Sequence, residues 1–384
     1  MVLSSINLKN FRSHKSTQLS FSEELNYIIG GNGQGKTSIL EAVYYLCTTK
    51  SSSSKSDSEV VRFNEEEFEI NGIFNDRTKD TVRVYYSLIE NRKYYFQNGK
   101  QINRSADIIG RFPVVLLTPA DHAITQGSPG DRRKLVDSII SQASETYLNF
   151  LLDYNKTLRH RSSVLSLYKE TRRNELLAEI DAWTAKLVQT GLEIIKHRKK
   201  FVGIFNEFIK DSYKKIMDEV EVPEIKYWFL DGYWESYKGV LTDILLVEES
   251  EIQDRFKDLI SSKREEELRR ATNLVGPHRD DFIFEVNGKN LKMFGSQGQH
   301  KTFQTALRFA EFFYLKNNTG KLPLFLLDDV FGELDTKRSM KISDYLRDVG
   351  QAFITLTDFT NHSFLRKSDS GKLIYLDSGS IVYA

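Results

Sequence analysis

The residues best suited to chemistry begin with a glycine-rich stretch near the start of the chain. At positions 30–37, GGNGQGKT, two glycines bracket four residues and are followed by Lys36 and Thr37. This spacing is typical of phosphate-binding loops, whose glycines let consecutive backbone N–H groups face phosphate oxygens at a helix N-terminus. We predict that Lys36 reaches the β- and γ-phosphates of a nucleotide and that Thr37 holds Mg²⁺ through its hydroxyl. The candidate binding residues are Gly30, Gly31, Asn32, Gly33, Gln34, Gly35, Lys36, Thr37 and Ser38.

A second candidate stretch lies far along the chain and ends in two carboxylates. Residues 324–327, LFLL, are followed by Asp328 and Asp329. A buried strand here would deliver Asp328 to the metal and place Asp329 where it could act as a base towards water. Paired aspartates at a strand end can also cap a turn. The phosphate-loop pattern in the same chain favours the metal-binding interpretation, with Lys36, Asp328 and Asp329 as the catalytic residues.

The sequence around these stretches predicts the elements that hold them. Residues 25–29, LNYII, have the composition of a buried strand, and apolar residues recur at helical spacing after Thr37. Alternation from 68 to 96, followed by Asn98 and Gly99, predicts an antiparallel sheet with a hairpin. Residues 132–217 predict long helices, which Gly191 or Gly203 could kink or break. An extended piece at 223–230, a charged helix at 251–270 and a strand at 282–286 are expected to follow.

Composition sets limits on the protein class without choosing a function. The 384 residues are 40% hydrophobic and 28% charged, and the formal net charge is +1. We find neither an apolar run of about eighteen residues nor a signal-peptide pattern, so we expect a cytoplasmic protein without membrane insertion. The single cysteine, Cys47, is expected to be a small core residue.

Two further motifs resemble those of the ABC ATPases. Residues 296–299, SQGQ, resemble the signature motif, with Gln297 in place of the usual first glycine. Asp335 lies seven residues after Asp328, which matches the D-loop spacing of that superfamily. The resemblance implies that the signature residues reach the γ-phosphate of ATP held by a second copy of the chain, so that two ATP molecules lie between two protomers. The nucleotide contacts implied are Ser296, Gln297, Gly298, Gln299 and Asp335.

Three other segments narrow the resemblance to the RecF family. They are LKNFRSH at 8–14, GSPGDRR at 127–133 and GPHRDD at 276–281, and they occur in the family's order over nearly the whole chain. The first segment implies that Arg12 contributes to nucleotide binding. The role of 278–281 stays open between bracing the junction with a helical insert and lying near the nucleotide.

The fold class implied is α/β: an ABC-ATPase head of the SMC/Rad50 type, with a phosphate-loop mixed sheet, an antiparallel β-subdomain and an inserted α-helical domain. We place the N-terminal part of the head at 1–118, the insert at 119–270 and the C-terminal part at 271–384. Slow ATP hydrolysis is expected because Asp329 is one methylene shorter than the glutamate usual in ABC enzymes. We also expect DNA to stimulate this hydrolysis.

The family resemblance also implies the partners. It suggests an ATP-dependent homodimer on duplex DNA near single-strand gaps, working with RecR and RecO to help load RecA. Basic clusters at 132–134, 159–161, 172–173 and 196–200 predict a basic surface, although a solvated helix face explains any one of them. The alternatives are a soluble ABC subunit of a transporter, which should carry a glycine at position 297, and a scaffold that binds nucleotide without hydrolysing it.

Overall fold

The structure is a computed structural model that describes residues 1–217, 221–230, 244–333, 335–358, 371–377 and 380–383. Its strands are β1 Val2–Phe11, β2 His14–Ser20, β3 Leu25–Ile29, β4 Glu67–Asn75, β5 Lys79–Ser87, β6 Arg92–Gln97, β7 Lys100–Ile102, β8 Val114–Leu117, β9 Pro223–Trp228, β10 Asp281–Val286, β11 Lys289–Asn290, β12 Leu324–Leu327, β13 Ala352–Leu356, β14 Lys372–Asp377 and β15 Ser380–Tyr383.

Nine α-helices occur in the described part of the chain. They are α1 Lys36–Thr48, α2 His122–Gln126, α3 Pro129–Ala143, α4 Glu145–Thr171, α5 Glu175–Ile216, α6 Glu249–Arg270, α7 Leu291–Phe294, α8 Gln297–Thr319 and α9 Thr336–Tyr345. Short 3₁₀ turns lie at Asp57–Val60, Ser105–Asp107, Pro119–Asp121, Ile244–Leu246, Phe331–Glu333 and Leu346–Asp348.

The chain forms two compact units. The first unit comprises Met1–Asp121, Asp211–Val220 and Lys301–Ala384, and the second comprises His122–Lys210 and Glu221–His300. These units describe how residues cluster within the chain, so the division into a head and an inserted domain at 118 and 270 stays a prediction.

A mixed sheet in the first unit positions the candidate site. Its strand order is β15-β14-β3-β13-β12-β8, and all neighbouring pairs are parallel except β14 with β15. The strands β3, β12 and β13 are buried along their whole length, as the strand composition of 25–29 and the apolar run of 324–327 predict. Because parallel strands end at the same edge, the residues that follow β3 and β12 lie on one side of the sheet.

The second sheet of the first unit is antiparallel, with strand order β2-β1-β4-β5-β6-β7. In β5 the side chains alternate between exposed and buried, and Val82 and Val84 enter a core shared with α1. The hairpin between β6 and β7 turns at Asn98 and Gly99, whose φ angles are 51° and 77°. Both lie in the left-handed region that a type I′ turn requires, so the predicted hairpin is confirmed.

The second unit contains the helices α2, α3, α4, α6 and α7, most of α5, and a three-stranded sheet ordered β11-β10-β9. The helix α5 continues through both Gly191 and Gly203, so the helix does not break at either glycine. Gly191 instead permits close packing, because a Cβ at that position would lie 2.8 Å from the ring of Phe256. The predicted extended piece, charged helix and strand are confirmed as β9, α6 and β10.

Within the described ranges, no helix has the length and apolar character needed to cross a membrane.

Candidate nucleotide-binding site

A cavity of about 280 Å³ opens in the first unit where the two candidate stretches meet. Its volume lies close to the lower end of the ~300–1,000 Å³ range of ligand pockets. Polar residues and glycines line the wall, which combines the phosphate loop, the segment after β12 and one residue of the turn between β1 and β2. The lining residues are Ser13, Asn32, Gly33, Gly35, Lys36, Thr37, Ser38, Asp328 and Asp329.

Two glycines allow the loop to curve around this cavity. Gly33 and Gly35 have φ angles of 79° and 95°, in the left-handed region that glycine adopts without a steric penalty. A Cβ on Gly35 would lie 2.7 Å from both Ser13 Oγ and His14 Nε2. The helix α1 begins directly after Gly35, and the N–H groups of its first turn have no intrahelical acceptor. This loop geometry suits an anionic ligand.

The start of the loop is fixed by hydrogen bonds and close contacts of residues that do not line the cavity. The Gln34 side chain accepts a hydrogen bond from the Gly31 amide at 2.6 Å and donates one to Asp377 Oδ1 at 3.3 Å. A Cβ on Gly30 would lie 2.8 Å from the carbonyl oxygen of Leu376. Gly30, Gly31 and Gln34 are therefore part of the loop without lining the cavity, and their contacts with nucleotide stay a prediction.

Lys36 supplies a positive charge to the cavity. Its ammonium donates hydrogen bonds to the carbonyl oxygens of Gly30, at 2.7 Å, and Gly31, at 2.9 Å. Burial lowers the pKa of Lys36, and this effect exceeds the opposing influence of Asp329 and Asp328. The lysine thus lies among backbone acceptors and next to two carboxylates, where a phosphate oxygen could compete for its N–H groups.

Thr37 and Asp328 come together although 291 positions separate them in sequence. The Thr37 hydroxyl donates to Asp328 Oδ1 at 3.0 Å, and the Thr355 hydroxyl donates to the same oxygen at 2.8 Å. Burial raises the pKa of Asp328, and the two hydroxyl groups oppose that shift. Hydroxyl and carboxylate oxygens are the ligands that Mg²⁺ prefers when phosphate and water complete its shell. The donor set therefore fits the predicted magnesium site.

Among the described residues, no group of three or more histidine, cysteine, aspartate or glutamate side chains could hold a metal by itself. The predicted Mg²⁺ site does not need such a group, because substrate phosphates usually supply several of its ligands. Thr355 was not among the predicted site residues. Its signal is a hydroxyl in an otherwise apolar buried strand, β13, whose C-terminal end lies beside that of β12.

Asp329 also lines the cavity, as the sequence predicts for a base. Its φ angle is 50°, a left-handed conformation that aspartate tolerates better than most residues. The Asp329 amide donates to Thr355 Oγ1 at 2.8 Å, so one threonine orients both aspartates. Its role as the base in hydrolysis stays a prediction.

Arg12 is engaged outside the cavity wall. Its guanidinium forms a two-point ion pair with Glu41, at 2.7 and 2.8 Å, and also donates to Ser53 and Ser54. Glu41 is a buried residue of α1. In the structure Arg12 therefore joins the turn after β1 to α1, and its direct contact with nucleotide stays a prediction.

The signature segment belongs to the second unit and begins α8. The Ser296 hydroxyl accepts from the Gln299 amide at 3.2 Å, and Gln299 Oε1 accepts from the Ser296 amide at 2.9 Å. This reciprocal pair is a capping arrangement. Ser296 and Gln297 are exposed, and Gly298 is half-buried. The segment is therefore a helix N-terminus, and its contact with a second copy stays a prediction.

Asp335, the candidate D-loop residue, caps α9. Its carboxylate accepts from the Arg338 amide at 2.9 Å and lies 3.4 Å from the Arg338 side chain. More than half of the Asp335 side chain is exposed, at 56%. Leu334, just before it, lies outside the described residues.

Asp280 of the 278–281 segment lies in a buried charged network of the second unit, whereas Arg279 is exposed. Arg198 forms a two-point ion pair with Asp137, at 2.9 and 3.0 Å, and its Nη1 lies 3.7 Å from Asp280. Asp280 also accepts from Tyr227 and from the Leu230 amide. Arg198 and Asp280 are 2% and 1% exposed, so these charges are satisfied within the protein.

This burial corrects part of the predicted basic surface. Arg132, Arg161 and Arg198 were each counted in a basic cluster, but all three are buried. Arg132 pairs with Asp281 at 2.8 Å, and Arg161 pairs with Glu267 at 2.5 Å. A buried arginine requires such a partner, and the sequence clusters do not show it. The exposed basic residues that remain in these clusters are Lys134, Arg159, His160, Arg172, Arg173 and Lys200.

The comparisons with known proteins agree with this geometry. The family model described as RecF/RecN/SMC N terminal domain matches residues 2–378. The chain is 38% identical over 364 residues to the DNA replication and repair protein RecF of Salinibacter ruber, covering 93% of this chain and 85% of the relative. It is 37% identical over 382 residues to the protein of the same name from Chloroherpeton thalassium, covering 97% and 100%.

Solved structures show the same relationship. A structure of the recombination mediator protein RecF with ATP, in the RecFOR pathway, is similar with a TM-score of 0.84 and 30% identity, covering 99% of this chain and 98% of the other. An Smc head domain from Pyrococcus furiosus has a TM-score of 0.54 and 17% identity, covering 99% and 94%. The second similarity concerns the fold alone, and it agrees with the predicted ABC-ATPase head.

Proposed function

This chain belongs to the RecF family of DNA replication and repair proteins, and we propose that it is an ATP-dependent, DNA-binding recombination mediator with ATPase activity. Its setting is the cytoplasm. It acts on duplex DNA near single-strand gaps, with RecR and RecO as partners and RecA loading as the outcome. The family relationship supports these partners, and the geometry of the cavity supports the nucleotide.

The observation that carries the proposal is the contact between Thr37 and Asp328 at the wall of the cavity. A phosphate loop supplies the hydroxyl, a buried strand supplies the carboxylate, and their oxygens are 3.0 Å apart. Both residues would hold Mg²⁺, which would supply positive charge that neutralises the phosphates of ATP. Lys36 would exchange its loop carbonyls for phosphate oxygens.

Hydrolysis requires a base in addition to these binding groups. Asp329 is the candidate, because its carboxylate lines the same cavity and its backbone is fixed by the bond to Thr355. Its side chain is shorter than that of a glutamate, so it would hold the attacking water less closely, and we propose slow turnover. Such an ATPase works as a timer that opens a nucleotide-bound complex.

Ser296 and Gly298 would act on the ATP of a second copy. The helix N-terminus at Gln297 offers N–H groups to a γ-phosphate, and Ser296 adds a hydroxyl on an exposed surface. Two chains would then hold two ATP molecules in a symmetric dimer that persists while the γ-phosphate is present. The exposed residues that remain of the basic clusters, including Arg172 and Arg173, support phosphate contacts with DNA.

Sedimentation velocity with ATP and gapped DNA tests this proposal. The wild type should dimerise only with ATP and should bind DNA as the dimer. Lys36→Ala should lose both properties through weak ATP binding, and Ser296→Arg should bind ATP but stay monomeric. Lys100→Ala removes an exposed lysine of the first unit and is the matched control. ATP-independent dimerisation, or DNA binding untouched by both site changes, would contradict the proposal.

A single-turnover measurement separates hydrolysis from nucleotide-gated assembly. Asp329→Asn keeps the size of the side chain and removes the base. We expect the variant to bind ATP and to dimerise with a greatly reduced rate of ATP cleavage. Equal cleavage rates in the wild type and the variant would mean that another residue is the base. If the wild type does not cleave ATP, the protein is a scaffold that binds nucleotide without hydrolysing it.

A further inference from the structure

A histidine beside the phosphate loop has no role in the proposed chemistry. His14 opens β2 in the first unit, and its side chain is fully buried, with 0% exposure. Its Nδ1 lies 2.9 Å from Thr17 Oγ1, and its Nε2 lies 3.0 Å from the carbonyl oxygen of Gly35. Burying a polar ring in the core costs free energy unless the ring is hydrogen-bonded, and these two contacts explain why the fold can accommodate His14 in the core.

The partners determine which ring nitrogen carries the proton. A carbonyl oxygen only accepts hydrogen bonds, so Nε2 must donate to Gly35. In the neutral ring Nδ1 is then an acceptor, and the Thr17 hydroxyl donates to it. The result is a directed chain of two hydrogen bonds that runs from Thr17 through His14 to the last residue of the phosphate loop.

We propose that His14 is a positioning residue that orients the peptide between Gly35 and Lys36 for binding phosphate. The carbonyl of Gly35 and the N–H of Lys36 belong to one planar group, so fixing the oxygen also fixes the direction of the N–H. That N–H belongs to the first turn of α1, where no intrahelical acceptor exists. The inference rests on the proposed function, because the Lys36 N–H needs orienting only if the loop binds the phosphates of a nucleotide.

The fit around Gly35 supports a specific contact. With a φ angle of 95°, the residue has a conformation that favours glycine, and a Cβ would lie 2.7 Å from His14 Nε2. The imidazole therefore lies directly against the loop backbone. The Gly35 carbonyl oxygen also accepts the first hydrogen bond of the helix, from the Ile39 amide at 3.2 Å. Two donors thus hold one oxygen.

Equilibrium binding of ATP and ADP to the full chain tests the inference. His14→Phe keeps a ring of similar size and removes both nitrogens, and we expect the Kd of both nucleotides to rise about tenfold. His14→Gln places an amide N–H near the position of Nε2 and should recover most of the affinity. A purely structural role would predict no such recovery, because glutamine fills the core less well than phenylalanine.

Thr17→Val adds a test with little change in shape. It removes the donor to Nδ1 and so permits the other tautomer of His14, and we expect a Kd about threefold higher than in the wild type. This variant carries the test if His14→Phe does not fold. Wild-type Kd in Thr17→Val, or equal losses in the glutamine and phenylalanine variants, would overturn the inference. Failure of the wild type to bind ATP would instead overturn the proposed function.

Discussion

Two charged regions of this protein place similar side chains in opposite settings. In the first unit, Lys36, Asp328 and Asp329 line a cavity of about 280 Å³. In the second unit, Arg198 and Asp280 lie in a network where almost no surface is exposed. Both regions contain motifs that resemble those of the RecF family. The difference is that the first region offers its polar groups to a ligand and the second uses them internally.

The comparison separates two reasons for which a charged motif can occur in a sequence. Arg198 has carboxylate partners on α3 and just before β10, together with the carbonyl oxygen of Pro277. Such a network joins distant parts of one unit. Lys36 has only backbone carbonyls as hydrogen-bond partners among its described contacts, and these can be exchanged for phosphate. Changes in the network should therefore affect folding, and changes in the cavity should affect ligand binding.

The largest effect is expected from Arg198→Met. The change leaves Asp137 and Asp280 without their buried cation, and removing one partner of a buried ion pair costs about 3–5 kcal/mol of unfolding free energy. Urea unfolding measures the loss. Arg173→Met removes an exposed arginine and should change stability by at most about 0.5 kcal/mol. Similar stabilities for the two variants would remove the distinction between the two regions.

The next effect is a dependence of stability on pH that comes from His278. Its neutral ring accepts from Tyr154 at 2.7 Å and donates to the Asn273 carbonyl at 3.2 Å. Burial lowers the pKa of His278 to about 4, and the charges of Arg279, Arg133 and Arg198 act in the same direction. In the unfolded chain His278 has its ordinary pKa of about 6.5, so as the pH falls it is protonated there at a higher pH than in the folded chain. This contribution is therefore present above pH 6.5 and is lost as the pH falls towards 4.

The size of the loss is up to about 3 kcal/mol between those pH values. We expect His278→Gln to lose less stability than the wild type over the same range, as measured by urea unfolding at each pH. The pKa of Asp280, which burial raises to about 6, contributes in both proteins and largely cancels in the comparison. Parallel pH profiles for the two proteins would show that His278 does not titrate as proposed.

Lys36→Met should weaken ATP binding and leave stability almost unchanged, the reverse of what we expect for Arg198→Met. Loss of a charge-assisted hydrogen bond to phosphate costs about 2 kcal/mol, so we expect ATP affinity to fall about 30-fold. Stability without nucleotide should change by less than about 1 kcal/mol, because burial already disfavours the charged form of Lys36. Fluorescent nucleotide binding and urea unfolding on the same sample give both values. A large loss of stability would make Lys36 a structural residue.

The positions of Arg198 and Lys36 in the structure also show how much of the site could be predicted from the sequence. Local spacing identified the phosphate loop, and an apolar run identified β12, because both signals lie within a few residues. The burial of Arg132, Arg161 and Arg198 depends on partners 61 to 149 positions away, and a cluster of basic letters contains no information about them. Thr355 was missed for the same reason, since its role depends on the strand beside it.

The smallest predicted effect concerns that threonine. Thr355→Val keeps the shape of the side chain but removes the hydroxyl that binds Asp328 and accepts from the Asp329 amide. The lost bond to Asp328 is the one that bears on the metal site, and a hydrogen bond is worth about 1 kcal/mol, so we expect ATP cleavage to slow about fivefold and to require more Mg²⁺. Single-turnover rates across a Mg²⁺ titration measure this change. An unchanged Mg²⁺ dependence would separate Thr355 from the metal site.

The central claim is that the cavity is one half of an ATP site and that a second copy supplies the other half at Ser296. Mixing two variants tests it most directly. Lys36→Met and Ser296→Arg should each be inactive in ATP hydrolysis, while a mixed dimer contains one site with an intact loop and an intact signature. Because neither variant dimerises with itself, every dimer in an equal mixture is mixed and has one intact site of two, so the mixture should recover up to about half of the wild-type rate. A mixture as inactive as its components would contradict the claim.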